Sequence, residues 1–279
     1  MRTHRRVVAA APAPLGALLA GPARTVPVLH RGPDAVYLDL RDPAGPVDQT
    51  GPAVLGVLSA AATAVPCGLQ TLLPRLSDDI AAAPDALLGA GRLLVGDSEV
   101  VVTRLVDVAV PRLPRAGVPS RARVLEDLVG DRLAAVRAEL PAAALADLAT
   151  GSAACVPALV GRGSGLTPVG DDVLCGWLAV TAAVLGTASG PVADAVRRHA
   201  PTATTALSAT LLGCALRGEV LPEFRRLVLD LADPAEAGRD TRLTARLDAL
   251  MRVGHTSGAG LLLGATTALH HLASRSLTP

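Results

Sequence analysis

The sequence predicts an α+β protein, in which a small, antiparallel β-rich N-terminal part, as a sheet or a barrel, is followed by an all-helical C-terminal domain. Short β-prone segments separated by turn residues fill the first part. Longer runs that begin near Pro, Ser or Thr and often end at Gly fill the second part. Residues 111–119, with three prolines and a glycine, separate the two patterns. We therefore expect a β-rich domain in residues 1–115 and a helical domain in residues 120–279.

The elements of the first part are predicted from β-prone runs bounded by turns. Gly96-Asp97-Ser98 lies between two such runs and predicts a hairpin. Residues 77–90 fit either a short helix or a polar excursion. The predicted strands are residues 25–29, 35–40, 54–58, 93–95 and 99–106.

The helices of the second part are predicted from their apolar faces and their starting and ending residues. A short helix should begin at Pro141, and a helix buried by its neighbours should begin at Pro168. The other predicted helices are residues 120–140, 191–199, 203–216, 222–231, 241–253 and 257–273.

Composition excludes several classes of function. The chain of 279 residues has a formal net charge of +1 and only three aromatic residues, which argues against nucleic-acid binding. It contains no lysine and no asparagine. That excludes a Walker-type phosphate loop, a lysine Schiff base and N-glycosylation. All fixed positive charge is therefore arginine, which suits a bidentate grip on carboxylate or phosphate.

The same composition favours a cytoplasmic protein that does not enter a membrane. Gly, Pro, Thr or Ser interrupts each long uncharged run, so none resembles a clean membrane span. The basic start and uncharged residues 7–23 imitate a secretory signal, but Pro12 and Pro14 break the apolar helix. The four cysteines show no metal-ligand spacing and lie in apolar surroundings, as reduced thiols do.

A glycine-rich loop precedes the buried helix and is the first candidate site. Gly163 and Gly165 can turn backbone N–H groups inward, while Thr167 is a natural N-cap and Pro168 suits the first helical position. A helix start facing such a loop binds anions through its free N–H groups and dipole. Arg162 and Gly170 would join that site. A tight turn without function is the alternative.

Two adjacent carboxylates, Asp171 and Asp172, follow this loop in the first helical turn. They could cap the helix, hold a metal or handle a proton. First-turn aspartates are also common for their interaction with the helix dipole alone. Their position beside an apolar run favours function, because carboxylates near buried surface are costly.

Hydroxyls at Thr204, Thr205 and Ser208 form the second candidate motif. Thr204 and Ser208 are four residues apart and would share one face of a helix, with Thr205 beside them. Ordinary back-bonding of hydroxyls within an Ala-rich helix is the alternative.

The third motif, Gly-His-Thr-Ser-Gly at residues 254–258, lies at a joint between two helices. Thr256 or Ser257 would cap the second helix, with His255 beside its start and Gly258 just after the cap. A plain corner with a solvent-facing histidine is the alternative. If both glycine-rich joints form one pocket, Thr167 and Ser257 should lie within about 15 Å of each other, the reach of one small ligand.

These motifs resemble those of the AllH-like family. Residues 163–172 read Gly-Ser-Gly-Leu-Thr-Pro-Val-Gly-Asp-Asp and resemble the family signature Gly-x-Gly-Leu-Thr-Pro-Ser-Gly-Asp-Asp. The motifs at residues 204–208 and 254–258 are similar to later family motifs, in the same order. The resemblance covers about residues 161–269. Val169 replaces the usual serine, so any role of that hydroxyl is absent here.

The resemblance implies a subunit of oxamate carbamoyltransferase, a complex of three different subunits that acts in anaerobic allantoin breakdown. That enzyme moves a carbamoyl group between carbamoyl phosphate and oxamate, giving phosphate and oxalurate. Small anionic metabolites and partner subunits are thus the implied partners. A non-catalytic assembly subunit and a stand-alone enzyme that binds phosphate or carboxylate metabolites are the alternatives.

Within such an enzyme, three residues are candidates for catalysis. Asp171 or Asp172 could deprotonate the oxamate amide nitrogen or anchor Mg²⁺, and no other cofactor is implied. His255 could donate a proton to the leaving phosphate or hold the carbamoyl carbonyl. Arg162 could add a charge-assisted contact to the anion.

Overall fold

The computed structural model describes residues 4–41, 51–233 and 238–276. The chain divides into two compact units, Met1–Val108 and Ala109–Pro279. The first is built mainly from strands and the second from helices, as the α+β class requires. Residues 1–3, part of the basic start noted above, lie outside the described residues.

The described strands of the first unit form a closed barrel. In chain order they are β1 Arg5–Pro12, β2 Arg24–Arg31, β3 Ala35–Asp39, β4 Val54–Leu58, β5 Gly68–Thr71, β6 Asp85–Gly89, β7 Arg92–Val95 and β8 Ser98–Val106. Around the barrel they follow the order β1-β5-β4-β3-β2-β6-β7-β8. Two short helices, α1 Gly16–Ala20 and α2 Asp78–Ala82, connect strands.

The prediction of a small antiparallel β-rich part is wrong in its topology. β1 pairs in parallel with β8, and β4 pairs in parallel with β5. The remaining neighbours are antiparallel. The error arose because β1, β5 and β6 were not recognised as strands, and β1 is the strand that closes the barrel.

β1 was missed because its alanines have low strand propensity. Its burial nevertheless alternates, with Val7, Ala9 and Ala11 buried and Arg6 and Val8 exposed. This period of two is the mark of a strand with one face in a core. The strand predicted at residues 54–58 and the hairpin around residues 96–98 are confirmed by β4 and by the pairing of β7 with β8.

Helices make up the second unit, around a core of leucine, valine and alanine. They are α3 Val118–Val129, α4 Ala134–Ala138, α5 Ala142–Thr150, α6 Val156–Leu159, α7 Val169–Leu185, α8 Pro191–Ala203, α9 Ala206–Leu216, α10 Pro222–Ala232, α11 Arg239–Met251 and α12 Ser257–Ser276. No helix among the described residues is both long enough and apolar enough to cross a lipid bilayer.

Several helix boundaries differ from the predictions, and three of these differences alter how an element or motif is described. The helix expected over residues 120–140 is broken into α3 and α4, because Gly130 has a φ of 49° and a 3-10 turn follows it. The helix expected from residue 203 begins at Ala206. Pro168 is the N-cap of α7, so Thr167 is not the predicted cap.

α7 and α12 make the most extensive helix–helix contact of this unit. Three glycines bring them together without intervening side chains. A Cβ at Gly176 would lie 2.0 Å from the Leu261 oxygen, and one at Gly264 would lie 1.9 Å from the Val173 oxygen. Gly260 similarly faces the first turn of α7. The backbones therefore touch, and only glycine fits at these positions.

We expect Gly264→Ala to lower the free energy of unfolding of the helical unit by about 2 kcal/mol or more, because the new methyl would meet backbone atoms. Chemical denaturation followed by the fluorescence of Trp177, the only tryptophan, measures this unit. Gly213→Ala within α9 is the matched control. Its Cβ would meet only the Arg217 guanidinium, at 3.6 Å, so that variant should keep or slightly gain stability. Equal stability of the two variants would contradict the backbone contact.

Candidate functional site

The starts of α7 and α12 lie side by side. The hydroxyl oxygens of Thr167 and Ser257 are 3.1 Å apart, within hydrogen-bonding distance, and either can be the donor. The expected proximity of these two residues is thus confirmed. The N-cap of α7 is Pro168, which has no side-chain acceptor. The Thr167 hydroxyl is therefore not used in capping and can make this contact.

The glycine loop before α7 needs its glycines. Gly161, Gly163 and Gly165 have φ values of 71°, 118° and 88°, which L residues rarely adopt. A Cβ at Gly161 would also lie 2.4 Å from the Ala203 oxygen. Gly170 N–H donates to the Arg162 oxygen at 2.9 Å, which folds the loop back onto the first turn of α7.

Asp171 is the hub that joins this loop to the rest of the unit. It is only 1% exposed. Its Oδ1 accepts from Gly161 N–H at 2.9 Å. Its Oδ2 accepts from the hydroxyls of Thr204, at 2.5 Å, and Ser208, at 2.7 Å. Burial raises the pKa of Asp171, and the three hydrogen bonds oppose that rise.

The hydroxyl motif reaches Asp171 in a different way from the one predicted. Thr204 does not share a helix with Ser208, because it follows α8 in an extended conformation. Thr205 is the N-cap of α9, where its hydroxyl oxygen accepts from Ser208 N–H. The same hydroxyl donates to the Leu166 oxygen at 2.6 Å. Both ends of the glycine loop are therefore fixed to the junction of α8 and α9.

Asp172 faces the other way, toward α12. It is 6% exposed, and its buried Oδ2 has no hydrogen-bond partner. A Cβ at Gly260 would lie 2.8 Å from the Asp172 Cβ, so that glycine makes room for the carboxyl. Burial raises the pKa of Asp172 to about 8; the nearby Ser257 hydroxyl opposes the rise, and the charge of Asp171 adds to it. This carboxyl is therefore mostly protonated at neutral pH.

Cys175 lies one turn further along α7, and its position beside the two carboxyls was not predicted from the sequence. Burial raises the pKa of its thiol well above the ordinary value, and Asp172 and Asp171 add to the rise. The thiol is thus neutral and unreactive. Cys175 follows Asp172 by three residues and Asp171 by four, and this helical spacing could have indicated that the three side chains are neighbours.

The other predicted residues have fewer contacts. Arg162 and His255 are exposed, and neither side chain forms an ion pair or hydrogen bond within the described parts of the chain. Thr256 and Gly258 shape the joint. The Thr256 oxygen accepts from Gly260 N–H, and a Cβ at Gly258 would lie 1.9 Å from the Leu250 oxygen. The structure therefore does not bring His255 into contact with the aspartate pair.

Backbone donors at the two helix starts are partly used. In α7, Gly170 N–H donates to Arg162, while Asp171 and Asp172 N–H donate to Pro168. Val169 N–H lies beside Gly163, where a Cβ would approach it to 2.8 Å. Among the described residues, no protein acceptor meets this N–H, in contrast to the other three donors of the first turn of α7.

A shared Mg²⁺ site does not fit the aspartate pair. Both oxygens of Asp171 already accept hydrogen bonds from the protein. Within residues 4–41, 51–233 and 238–276, no group of three or more His, Cys, Asp or Glu side chains is arranged to hold a metal ion. The proton transfers proposed below therefore involve side chains of the protein alone.

One known protein family matches the part of the chain that contains this candidate site. Residues 159–269 match the family of the oxamate carbamoyltransferase subunit AllH. The matched segment starts just before the glycine loop and ends within α12, so it contains both helix starts, the aspartate pair and His255. The resemblance found in the sequence is confirmed. No solved structure matches the chain.

We expect Asp171→Ala to lower the free energy of unfolding of the helical unit by about 2–4 kcal/mol, because it leaves three buried or half-buried donors without an acceptor. Trp177 fluorescence during chemical denaturation measures the change. The control is Asp240→Ala, an exposed aspartate in the first turn of α11, which should cost less than about 1 kcal/mol. A loss as small as that of the control would show that Asp171 is not a hub.

The raised pKa of Asp172 also makes stability depend on pH. The folded chain keeps this proton up to a pH of about 8, whereas an aspartate in the unfolded chain loses it at a pH of about 3.9. The stability that the proton contributes is therefore complete below about pH 4 and is lost as the pH rises through about 8. The slope is at most about 1.4 kcal/mol per pH unit.

Asp172→Asn cannot ionise, so we expect its unfolding free energy to fall less between pH 5 and pH 8 than that of the wild type. Denaturation followed by Trp177 fluorescence at several pH values measures this. Asp240→Asn should keep the wild-type slope, since Asp240 is exposed. If Asp172→Asn also kept that slope, another group would hold the proton.

Proposed function

We propose that this chain is a substrate-binding and catalytic subunit of a carbamoyltransferase that acts on carbamoyl phosphate and oxamate, with phosphate and oxalurate as products. The observation that carries the proposal is the family match over residues 159–269, since that segment contains the whole candidate site. Partner subunits complete the proposed enzyme.

The geometry supports binding of small anions at the joined helix starts. The N-terminal ends of α7 and α12 carry partial positive charge, and their effects add where the helices meet. The exposed guanidinium of Arg162 can reach an anion above the glycine loop without first breaking an ion pair. Val169 N–H, which lies beside Gly163, is the neutral donor that we assign to the same anion.

The proposed reaction needs a group that both gives and takes a proton. The oxamate amide nitrogen bonds to the carbamoyl carbon, the bond from that carbon to the phosphate oxygen breaks, and the nitrogen loses a proton while phosphate gains one. A carboxyl whose pKa is about 8 can do both near neutral pH. We assign this exchange to Asp172, which would act through the hydroxyls of Ser257 and Thr167 without touching the substrate. Asp171 would be a positioning residue, and His255 would approach the phosphate only once substrate is bound.

A non-catalytic assembly subunit is the second candidate. The close glycine contact of α7 with α12 favours it, because glycines that serve packing alone would look the same. In that case Asp172→Asn and His255→Ala should alter complex formation or stability and leave turnover unchanged. Phosphate release from carbamoyl phosphate, with the partner subunits present, separates the two candidates.

We expect Arg162→Ala to weaken the binding of inorganic phosphate and oxamate by about tenfold or more, which corresponds to the loss of one charge-assisted contact. Isothermal titration and ligand-induced thermal stabilisation measure this. Arg137→Ala, which removes an exposed arginine of α4, is the matched control and should bind as the wild type does. Equal affinities in both variants would place the anion elsewhere.

A further inference from the structure

Three side chains connect the buried interior to the meeting point of α7 and α12. Asp172 is the innermost, with its Oδ2 buried and without a partner. Ser257, the first residue of α12, places its hydroxyl beside the Asp172 carboxyl. The Ser257 oxygen is 3.1 Å from the Thr167 hydroxyl, and both of these residues are only half-buried. We call these three side chains the hydroxyl chain.

The hydroxyl chain can point in two directions, because each hydroxyl can donate or accept. A protonated Asp172 donates to Ser257, which then donates to Thr167, and the Thr167 proton is left to point outward. An ionised Asp172 can only accept. Ser257 then donates inward, Thr167 donates to Ser257, and the outer end presents lone pairs instead of a proton.

We propose that the hydroxyl chain binds a small oxyanion only when it points outward, and that Asp172 is the positioning residue that sets this direction by holding its proton. The inference rests on the proposed function and deepens it. It names the ligand class as an oxyanion whose contacting atom is an acceptor oxygen, of a carboxylate or a phosphate. Ligand binding would then be coupled to the protonation of a residue that the ligand does not touch.

Few other groups near Asp172 can change charge. On α7 the neighbours are Asp171, held by three protein donors, and Cys175, whose pKa is raised by burial. Residues 257–269 of α12 include no titratable side chain. Arg162, in the loop before α7, is a further charged residue of the candidate site. Histidines do change charge near neutral pH, so His255 is the competing group that a test must control.

The test measures the dissociation constants of sulfate and oxamate for the full chain, with its partner subunits if they are needed, from pH 6 to pH 9. Both probes keep their charge over this range, so a change reports on the protein. We expect affinity to fall roughly tenfold between pH 7 and pH 9. A response to sulfate alone indicates a phosphate subsite, and a response to oxamate alone indicates a carboxylate subsite.

Three variants separate the hydroxyl chain from a structural role. Asp172→Asn, whose amide can donate to Ser257 at every pH, should bind with about the wild-type affinity of pH 7 and a flat profile. Ser257→Ala should bind more weakly, also with a flat profile. Ser164→Ala removes an exposed hydroxyl of the glycine loop and should keep the wild-type profile. His255→Gln can bind more weakly at every pH, but its affinity should still fall between pH 7 and pH 9.

The outcomes distinguish this inference from the proposed function. Binding that does not change with pH, or a pH dependence that persists in Asp172→Asn, would overturn the inference alone. A pH dependence that disappears in His255→Gln would assign the coupling to the histidine and would overturn it too. Absence of binding to either probe at any pH would overturn the proposed function, and the inference with it.

Discussion

Direct backbone contact between α7 and α12 is the constraint on which the helical unit depends. Gly176 and Gly264 bring carbonyl oxygens of one helix against the other, at distances that any Cβ would prevent. The same close approach aligns the two helix starts and brings Thr167 to Ser257. It also buries Asp172 in the seam, next to Gly260. The pKa of that carboxyl is thus raised because the tight packing of the two helices buries it.

Asp171 and Asp172 are adjacent in the chain but differ in environment, because successive residues of a helix point about 100° apart. Asp171 faces the glycine loop and the junction of α8 and α9, where three donors satisfy it. Asp172 faces α12, where glycine replaces side chains and no donor meets its Oδ2. Asp171 therefore organises the site, while Asp172 has a raised pKa and is the carboxyl to which we assign proton exchange.

The sequence predicted those features that depend on residue type at a single position. Gly, Pro and Thr marked the loop, the joint and most helix starts, and the order of the motifs indicated the family that matches residues 159–269. Features that depend on packing were not accessible. Thr204 and Ser208 meet Asp171 only because α8 ends where it does. His255 is exposed at a joint where Gly254 has a φ of 59°. The alanine-rich β1 is a strand because β8 pairs with it, not because of its own propensity.

The parallel pairing of β1 with β8 has a consequence for biosynthesis. Arg5 pairs with Ser98, and Pro12 pairs with Val106. β1 is synthesised before the other described strands of this unit, so the barrel cannot close until β8, the last of them, has been made. Because contacts between distant parts of the chain form slowly, closure of this unit should be a late and slow event, and the backbone edge of β1 that pairs with β8 stays open until then.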